Sequence, residues 1–312
     1  MKFISPIKLR IKNFNLYPRL GLIFLQKAIY NRVRGDLMPE NLLSVENLRV
    51  EVFGKEILHE INFSVDAGEI LIIAGESGSG KSTILKSIGG LLSKNFSVDG
   101  RIFFDGKEIT NISDGERRKL SGDAIGYVFQ NAGASFCPIR TIGEQIFESV
   151  RAHRDWTEEF FRERAIDIMK KINLDTSTLK EYPFRLSGGM AQRAGILAAT
   201  ILEPKLLLAD EPTSALDPVT RIEVVNELLN LREREKISII LVTHDLNVAK
   251  RMADKILILR RGLSVEFGTR EQIFNNPREK YTQELIEAAT FKKWPNRFRD
   301  ISANYPNVIT AN

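Results

Sequence analysis

The residues that most restrict this chain are Gly75-Glu76-Ser77-Gly78-Ser79-Gly80-Lys81-Ser82, followed by Thr83. The spacing is G-x-x-x-x-G-K-S, and an unbroken apolar run, Ile70-Leu71-Ile72-Ile73-Ala74, leads into it. Glycines at 75, 78 and 80 let backbone N–H groups turn inward around phosphate oxygens. A helix that follows such a loop adds the partial positive charge of its N-terminus. The loop works only with a strand before it and a helix after it, so it commits the chain to an α/β fold built around a phosphate site. Residues 75–83, that is Gly75, Glu76, Ser77, Gly78, Ser79, Gly80, Lys81, Ser82 and Thr83, are therefore candidate nucleotide-binding residues. Lys81 is expected to reach the β- and γ-phosphates, and the Ser82 hydroxyl to ligate Mg2+.

The rest of the pattern agrees with that architecture. Val45 to Phe53 and Ile61 to Val65 alternate apolar and polar, as half-buried antiparallel strands do. Residues 206–209, 237–242 and 255–259 are continuous apolar runs, as in strands covered on both faces. Helices are expected over 82–88, 142–150, 157–172, 190–202 and 219–234, which alternate with the buried strands and imply a mostly parallel sheet. The block from about 133 to 190 holds no buried-strand run and reads as a helical insertion. With 43% hydrophobic and 27% charged residues, the composition excludes a wholly disordered or collagenous chain. No apolar run reaches 18 residues, so no transmembrane helix is expected. The single cysteine, Cys137, excludes an intrachain disulfide or a cysteine-built iron–sulfur site.

A second chemical feature is Asp210-Glu211 at the end of the apolar run Leu206-Leu207-Leu208-Ala209. In a phosphate-loop protein the first carboxylate at such a strand end supports Mg2+. The second, one residue beyond the strand, can reach a water at the γ-phosphate. Asp210 is thus the expected metal partner and Glu211 the expected general base.

With these in place, Leu186-Ser187-Gly188-Gly189-Met190-Ala191-Gln192-Arg193 resembles the LSGGQ signature of ABC transporter nucleotide-binding subunits, with Met at the fifth position. From the residues alone it reads as a capped helix start. The resemblance implies an α/β P-loop NTPase of ABC type: a mostly parallel core sheet, an antiparallel β subdomain and a helical subdomain at about 131–190. It also implies that Ser187, Gly188 and Gly189 act in trans on ATP held by a second subunit. Gln130, which ends Gly126-Tyr127-Val128-Phe129-Gln130, resembles the Q-loop glutamine that senses Mg2+ and the attacking water. Ser214-Ala215-Leu216-Asp217 resembles the D-loop, and Asp217 joins the trans-acting set. His244, after Ile239-Ile240-Leu241-Val242-Thr243, resembles the switch histidine. Phe53 is the candidate aromatic for stacking on adenine, with a buried strand position as the alternative.

Two further segments resemble peptide/nickel importers. One runs from Phe129 to Pro138 and on through Thr141-Ile142-Gly143-Glu144-Gln145-Ile146. The other is Ile273 to Leu285, which contains Asn276-Pro277 and Tyr281-Thr282. Cys137 and Lys280 depart from that pattern at positions usually Asn and often His. The resemblance implies a peripheral protein on the cytoplasmic face of the membrane, held by two permease subunits. A second ATPase subunit, identical or related, would complete the pair, with an extracytoplasmic substrate-binding protein beyond the permeases. Nucleic acid is not an expected partner. Non-transport ABC ATPases of the repair or translation type, and exporter ATPases, remain the alternatives. Tandem ATPase units and zinc or coiled-coil insertions are not in the sequence.

Charge marks the ends. Residues 1–40 carry eight Lys/Arg and two Asp/Glu, a net +6, and residues 291–312 carry four and one, a net +3. Residues 41–290, the expected ATPase domain, carry 33 basic and 37 acidic residues, a net −4. Basic ends on an acidic body suit an anionic surface. The N-terminal extension can be read as an interfacial segment or as a translated leader with Met38 as the start. The short run Leu20-Gly21-Leu22-Ile23-Phe24-Leu25 lacks the length and cleavage site of a signal peptide.

Overall fold

The structure is a computed structural model, and it describes residues 41–291. The basic extension of residues 1–40 and the tail beyond Phe291 lie outside the described residues. In chain order the elements are β1 (Leu43–Val52), β2 (Lys55–Val65), β3 (Ile70–Ala74), α1 (Lys81–Gly89), β4 (Phe96–Phe104), β5 (Lys107–Glu108), α2 (Asp114–Leu120) and β6 (Ile125–Val128). Then come α3 (Ala132–Ser135), α4 (Ile142–Arg151), α5 (Glu158–Lys171), two short 3-10 turns, α6 (Gly188–Thr200), β7 (Leu206–Asp210), α7 (Pro218–Glu235) and β8 (Ser238–Thr243). The chain closes with α8 (Leu246–Met252), β9 (Lys255–Arg260), β10 (Leu263–Thr269), α9 (Arg270–Asn275) and α10 (Lys280–Phe291).

The continuous apolar runs became the fully covered strands. Every residue of β3, β7 and β8 is buried. Successive side chains on a strand point to opposite faces, so a run apolar at every position feeds two cores at once. Ile70 and Ile72 of β3 join a core with α4, α5, α6, α7 and α8. Leu71 and Ile73 join a second core with α1 and the early antiparallel strands.

The sheet order is β5-β4-β1-β2-β10-β9-β3-β8-β7-β6. The pairs β9–β3, β3–β8, β8–β7 and β7–β6 are parallel. The β5–β4, β4–β1 and β1–β2 pairs are antiparallel and form the early β subdomain. Register then decides the site. Ala74 pairs with Thr243, Asp210 with Val242 and Val128 with Ala209, so four parallel strands end level with one another. Ligands of open parallel sheets bind beyond these carboxyl ends.

From 129 to 205 the chain has helices and turns but no strand, as expected from its lack of a buried run. Thr141 and Thr157 cap α4 and α5 with their side chains. Four strands, β4, β5, β6 and β10, were not read from the sequence. β4 does alternate in burial, with Ile102 and Phe104 inward, whereas β10 is half-buried throughout its middle, Val265 packing on one core and Phe267 on the other. The first expected strand also stops one residue early: β1 ends at Val52, and Phe53 enters a turn.

Candidate functional site

The loop after β3 is held open by its glycines. Gly75 has φ +155°, and a Cβ there would land on the Leu259 carbonyl of the neighbouring β9. Gly80 has φ +102° and sits so close to β2 that a Cβ would meet Leu58 Cδ2 at 2.6 Å. Gly80 also begins α1, and no side chain caps that helix. By contrast, side chains cap α2, α4, α5, α6, α7, α8 and α9. The first-turn N–H groups of α1 therefore face the loop as free donors, with no acidic residue in that turn. Ser79 adds a buried hydroxyl that has no hydrogen-bond partner. Ser77 and Gly78 form the exposed crest, and Thr83 is half-buried in the first turn of α1. Open N–H groups, an orphaned hydroxyl and glycines where a Cβ cannot fit make a cradle for an anion.

Lys81 is buried with its ammonium inside this cradle, donating to the carbonyls of Gly75 at 2.9 Å and Glu76 at 2.7 Å. Burial pushes its pKa below the ordinary lysine value, against the opposing pull of Glu211, Asp210 and Glu76. An ammonium has three donor directions, and two are taken.

Asp210, the last residue of β7, accepts from Ser82 Oγ at 2.7 Å on one carboxylate oxygen. Tyr127 of β6 donates to the other at 3.5 Å. Burial raises the Asp210 pKa above the usual carboxylate range, against the Ser82 hydrogen bond and Lys86. The hydroxyl and carboxylate are an all-oxygen donor pair, the chemistry a hard divalent cation takes. Tyr127 was missed from sequence. Only the β6–β7 register, Tyr127 against Leu208, brings its hydroxyl to Asp210.

One residue on, Glu211 adopts φ +45° and donates its N–H to the Val242 carbonyl at 3.0 Å. A non-glycine residue in this left-handed region is strained, and such strain gathers at working sites. The turn carries the carboxylate across to β8, where His244 Nδ1 lies 3.2 Å from Oε2. Gln130 Nε2 reaches the same oxygen at 3.4 Å. A carboxylate flanked by an amide and an imidazole can accept a proton from water and hold that water in line.

The other expected residues lie elsewhere. Ser187 is the N-cap of α6, with its Oγ accepting from Met190 N–H at 3.3 Å. A Cβ at Gly188 would only touch Leu216 Cδ2 at 4.0 Å, whereas one at Gly189 would meet Thr220 Cγ2 at 2.7 Å. Asp217 caps α7, accepting from the N–H groups of Val219 and Thr220 and from the Thr220 hydroxyl. Those hydrogen bonds, the Thr220 hydroxyl first, lower its pKa. Phe53 is 85% exposed at φ +49°, beside Gly54 at φ +75°, in the two-residue turn between β1 and β2. It is therefore a surface aromatic and not a core strand residue.

Known proteins resemble this chain in sequence and in fold. Residues 58–214 match the family model described as ABC transporter. The metal-staphylopine import system ATP-binding protein CntD of Staphylococcus aureus strain Mu50 is 36% identical over 264 residues, covering 83% of this chain and 97% of CntD. The dipeptide transport ATP-binding protein DppD of Escherichia coli K12 is 39% identical over 255 residues, covering 79% of this chain and 78% of DppD. In structure, the ATP-binding cassette MJ0796, solved as a post-hydrolysis dimer bound to ADP and Pi, superposes with a TM-score of 0.66 at 31% identity. That match covers 73% of this chain and 98% of MJ0796. With a family model over residues 58–214 and relatives of 36–39% identity over most of its length, the chain belongs to the ABC transporter family as an ATP-binding, ATP-hydrolysing cassette.

Proposed function

We propose that this cassette powers the import of peptides or of small metal chelates. The relatives named above are ATP-binding proteins of dipeptide and metal-staphylopine import systems, and a further one serves oligopeptide transport in Haemophilus influenzae. The observation that carries the catalytic part of the reading is convergence. Lys81 follows β3, Asp210 ends β7, and Gln130 and His244 lie just beyond β6 and β8, all at one edge of the parallel sheet.

In this reading residues 75–83 bind the phosphates of ATP, with Lys81 on the β- and γ-phosphates. Ser82, Asp210 and Gln130 would hold Mg2+, which would offset phosphate charge. The oxygen-only donor pair and the orphaned Ser79 hydroxyl suit an Mg-nucleotide. Glu211 takes the proton from the attacking water, and His244 and Gln130 orient that water through Glu211 Oε2. Phe53 stacks on adenine. The Leu58 contact with Gly80 places strand β2, and so its hairpin, beside the loop. Ser187, Gly188, Gly189 and Asp217 act on ATP held by a second ATPase subunit.

Residues 41–290 form the ATPase domain, residues 131–190 its helical subdomain, and the basic ends flank it. The helical subdomain docks two permease subunits on the cytoplasmic face of the membrane, and an extracytoplasmic binding protein delivers the solute. Among the described residues no helix is long and apolar enough to cross a membrane.

Replacing Glu211 by Gln tests the proposal. It removes the base while keeping the shape and one acceptor. ATP binding should be retained, while turnover falls at least about a hundredfold, the scale of lost general base catalysis. Turnover within a few fold of the unmodified chain would remove Glu211 from this role.

A further inference from the structure

Arg221, near the start of α7, is a half-buried cation that the chemistry above does not use. Its guanidinium reaches two separate turns. Nη1 donates to Asp245 Oδ2 at 2.9 Å, and Nη2 donates to the Leu216 carbonyl at 3.3 Å. Its buried Nε has no hydrogen-bond partner. The side-chain hydrogen bonds of Arg221 are thus spent on these two turns.

Each turn leads to one of the groups placed at the attacking water. Asp245 follows His244 and caps α8, its Oδ1 accepting from Asn247 N–H at 2.9 Å. Asp245 N–H donates to Thr243 Oγ1 at 3.0 Å, which ties the two neighbours of His244 to each other. On the other side, Leu216 N–H donates to the Thr213 carbonyl at 3.4 Å. Ser214 donates to the Glu211 carbonyl twice, from its N–H at 3.2 Å and from its Oγ at 3.1 Å. The turn from Glu211 to Leu216 is therefore hydrogen-bonded along its length. The two turns meet again where His244 Nδ1 lies 3.2 Å from Glu211 Oε2. The His244 side chain is 58% exposed, so packing alone does not hold its ring on that carboxylate. What holds it is the placing of its turn, and Arg221 joins that turn to the one carrying Glu211.

We infer that Arg221 is a positioning residue for ATP hydrolysis: by tying the Leu216 carbonyl to the Asp245 carboxylate, it keeps the His244 turn against the Glu211 turn. The inference rests on the ATPase reading above. Arg221 acts through its two partners and not on the nucleotide, whose phosphates belong to residues 75–83. Its loss should therefore lower kcat and spare KM, because a small misplacement of a group at the reacting water costs rate before affinity. The planar fork of arginine serves two acceptors on separate turns, whereas a lysine of the same charge offers one nitrogen.

The test uses the full-length chain with Arg221→Gln, Arg221→Lys and, as a control, Arg251→Gln. Arg251 on α8 donates to Asn226 on α7 at 2.6 Å, so it links the same two helices further along, away from both turns. Turnover is read by phosphate release over a range of Mg-ATP, and folding by thermal melting. The His244 ring is read without nucleotide from imidazole nitrogen NMR shifts, which report which ring nitrogen carries the proton. The chain has 3 histidines, His59, His153 and His244, so each signal can be assigned by substitution. Arg221→Gln should lower kcat about tenfold with KM within about twofold, and move the His244 signals alone. Arg221→Lys should lower kcat about threefold and move the same signals less, and it carries the test if the glutamine variant does not fold. Arg251→Gln should leave kcat and the His244 signals unchanged. Unmoved His244 signals or an unchanged kcat in both Arg221 variants would overturn the inference. Equal effects in Arg251→Gln would overturn it too, leaving Arg221 a link between helices. No phosphate release from the unmodified chain would overturn the ATPase reading instead, and the His244 signals would still decide whether Arg221 holds that turn.

Discussion

Asp210 shows how a single residue gives up stability for a site. It ends a strand whose every residue is buried, and one Ser82 hydroxyl is its main compensation. Burial favours the neutral acid, so its pKa lies above the ordinary value. The sign follows from linkage. A carboxyl whose pKa is raised by folding stabilises the fold as pH falls through that raised value, and opposes it near neutrality. Asp210→Asn keeps the acceptor for Ser82 and removes the buried charge. The nucleotide-free variant should melt about 1–3 °C higher than the unmodified chain in differential scanning calorimetry. Its Mg-dependent ATPase should be lost. A lower melting temperature would show that the charge is well compensated. The sequence made Asp210 and Lys81 legible because each sits at a fixed distance from a recognisable loop or strand end. It did not make Tyr127 legible, because no spacing rule links it to the Asp210 carboxylate that it meets only through folding.

Between elements, Arg193 on α6 links to Glu227 and Glu223 on α7. Arg193 Nε donates to Glu227 at 2.9 Å, and a terminal nitrogen donates to Glu223 at 2.8 Å. Glu227 is 1% exposed, and burial pushes its pKa up against the pull of Arg193. Nearer the helix starts, Gly189 packs on Thr220, whose hydroxyl caps onto Asp217. The Ser187–Gly189 turn and the Asp217 cap therefore meet through Thr220. Arg193→Ala leaves a buried carboxylate unpaired and should cost about 3–5 kcal/mol in urea unfolding, the range for removing one partner of a buried pair. The double variant Arg193→Ala with Glu227→Leu should recover most of that loss. A loss below about 1 kcal/mol in the single variant would mean that water reaches Glu227. The capped start of α6 was readable from Ser187 and two glycines. The Arg193 clamp was not, because helix spacing tells which face a residue is on but not which helix that face meets.

At the scale of the molecule, charge is divided between a slightly acidic body and basic ends. Eight Lys/Arg in residues 1–40 should favour anionic lipid by roughly 1 kcal/mol for each cation near the surface. Deleting residues 1–37 should lower sedimentation with phosphatidylserine vesicles at least about tenfold, most clearly at low salt, and leave ATP hydrolysis unchanged. Equal sedimentation would make this charge incidental. By itself the sequence determined the class of fold and the identity of its chemical groups. A phosphate loop demands a strand and a helix, and continuous apolar runs demand a sheet covered on both faces. Those are local rules, carried by residues adjacent in the chain. Only the tertiary structure decided which groups meet. The ladder that sets Ala74 against Thr243 and Asp210 against Val242 brings residues more than a hundred positions apart to one edge. The end of β9 meets the first turn of α10 in the same way, with Arg260 over the Tyr281 ring. Strand order and register are long-range choices, fixed by burying both faces of the sheet at once, and they leave no mark on the local spacing of the sequence.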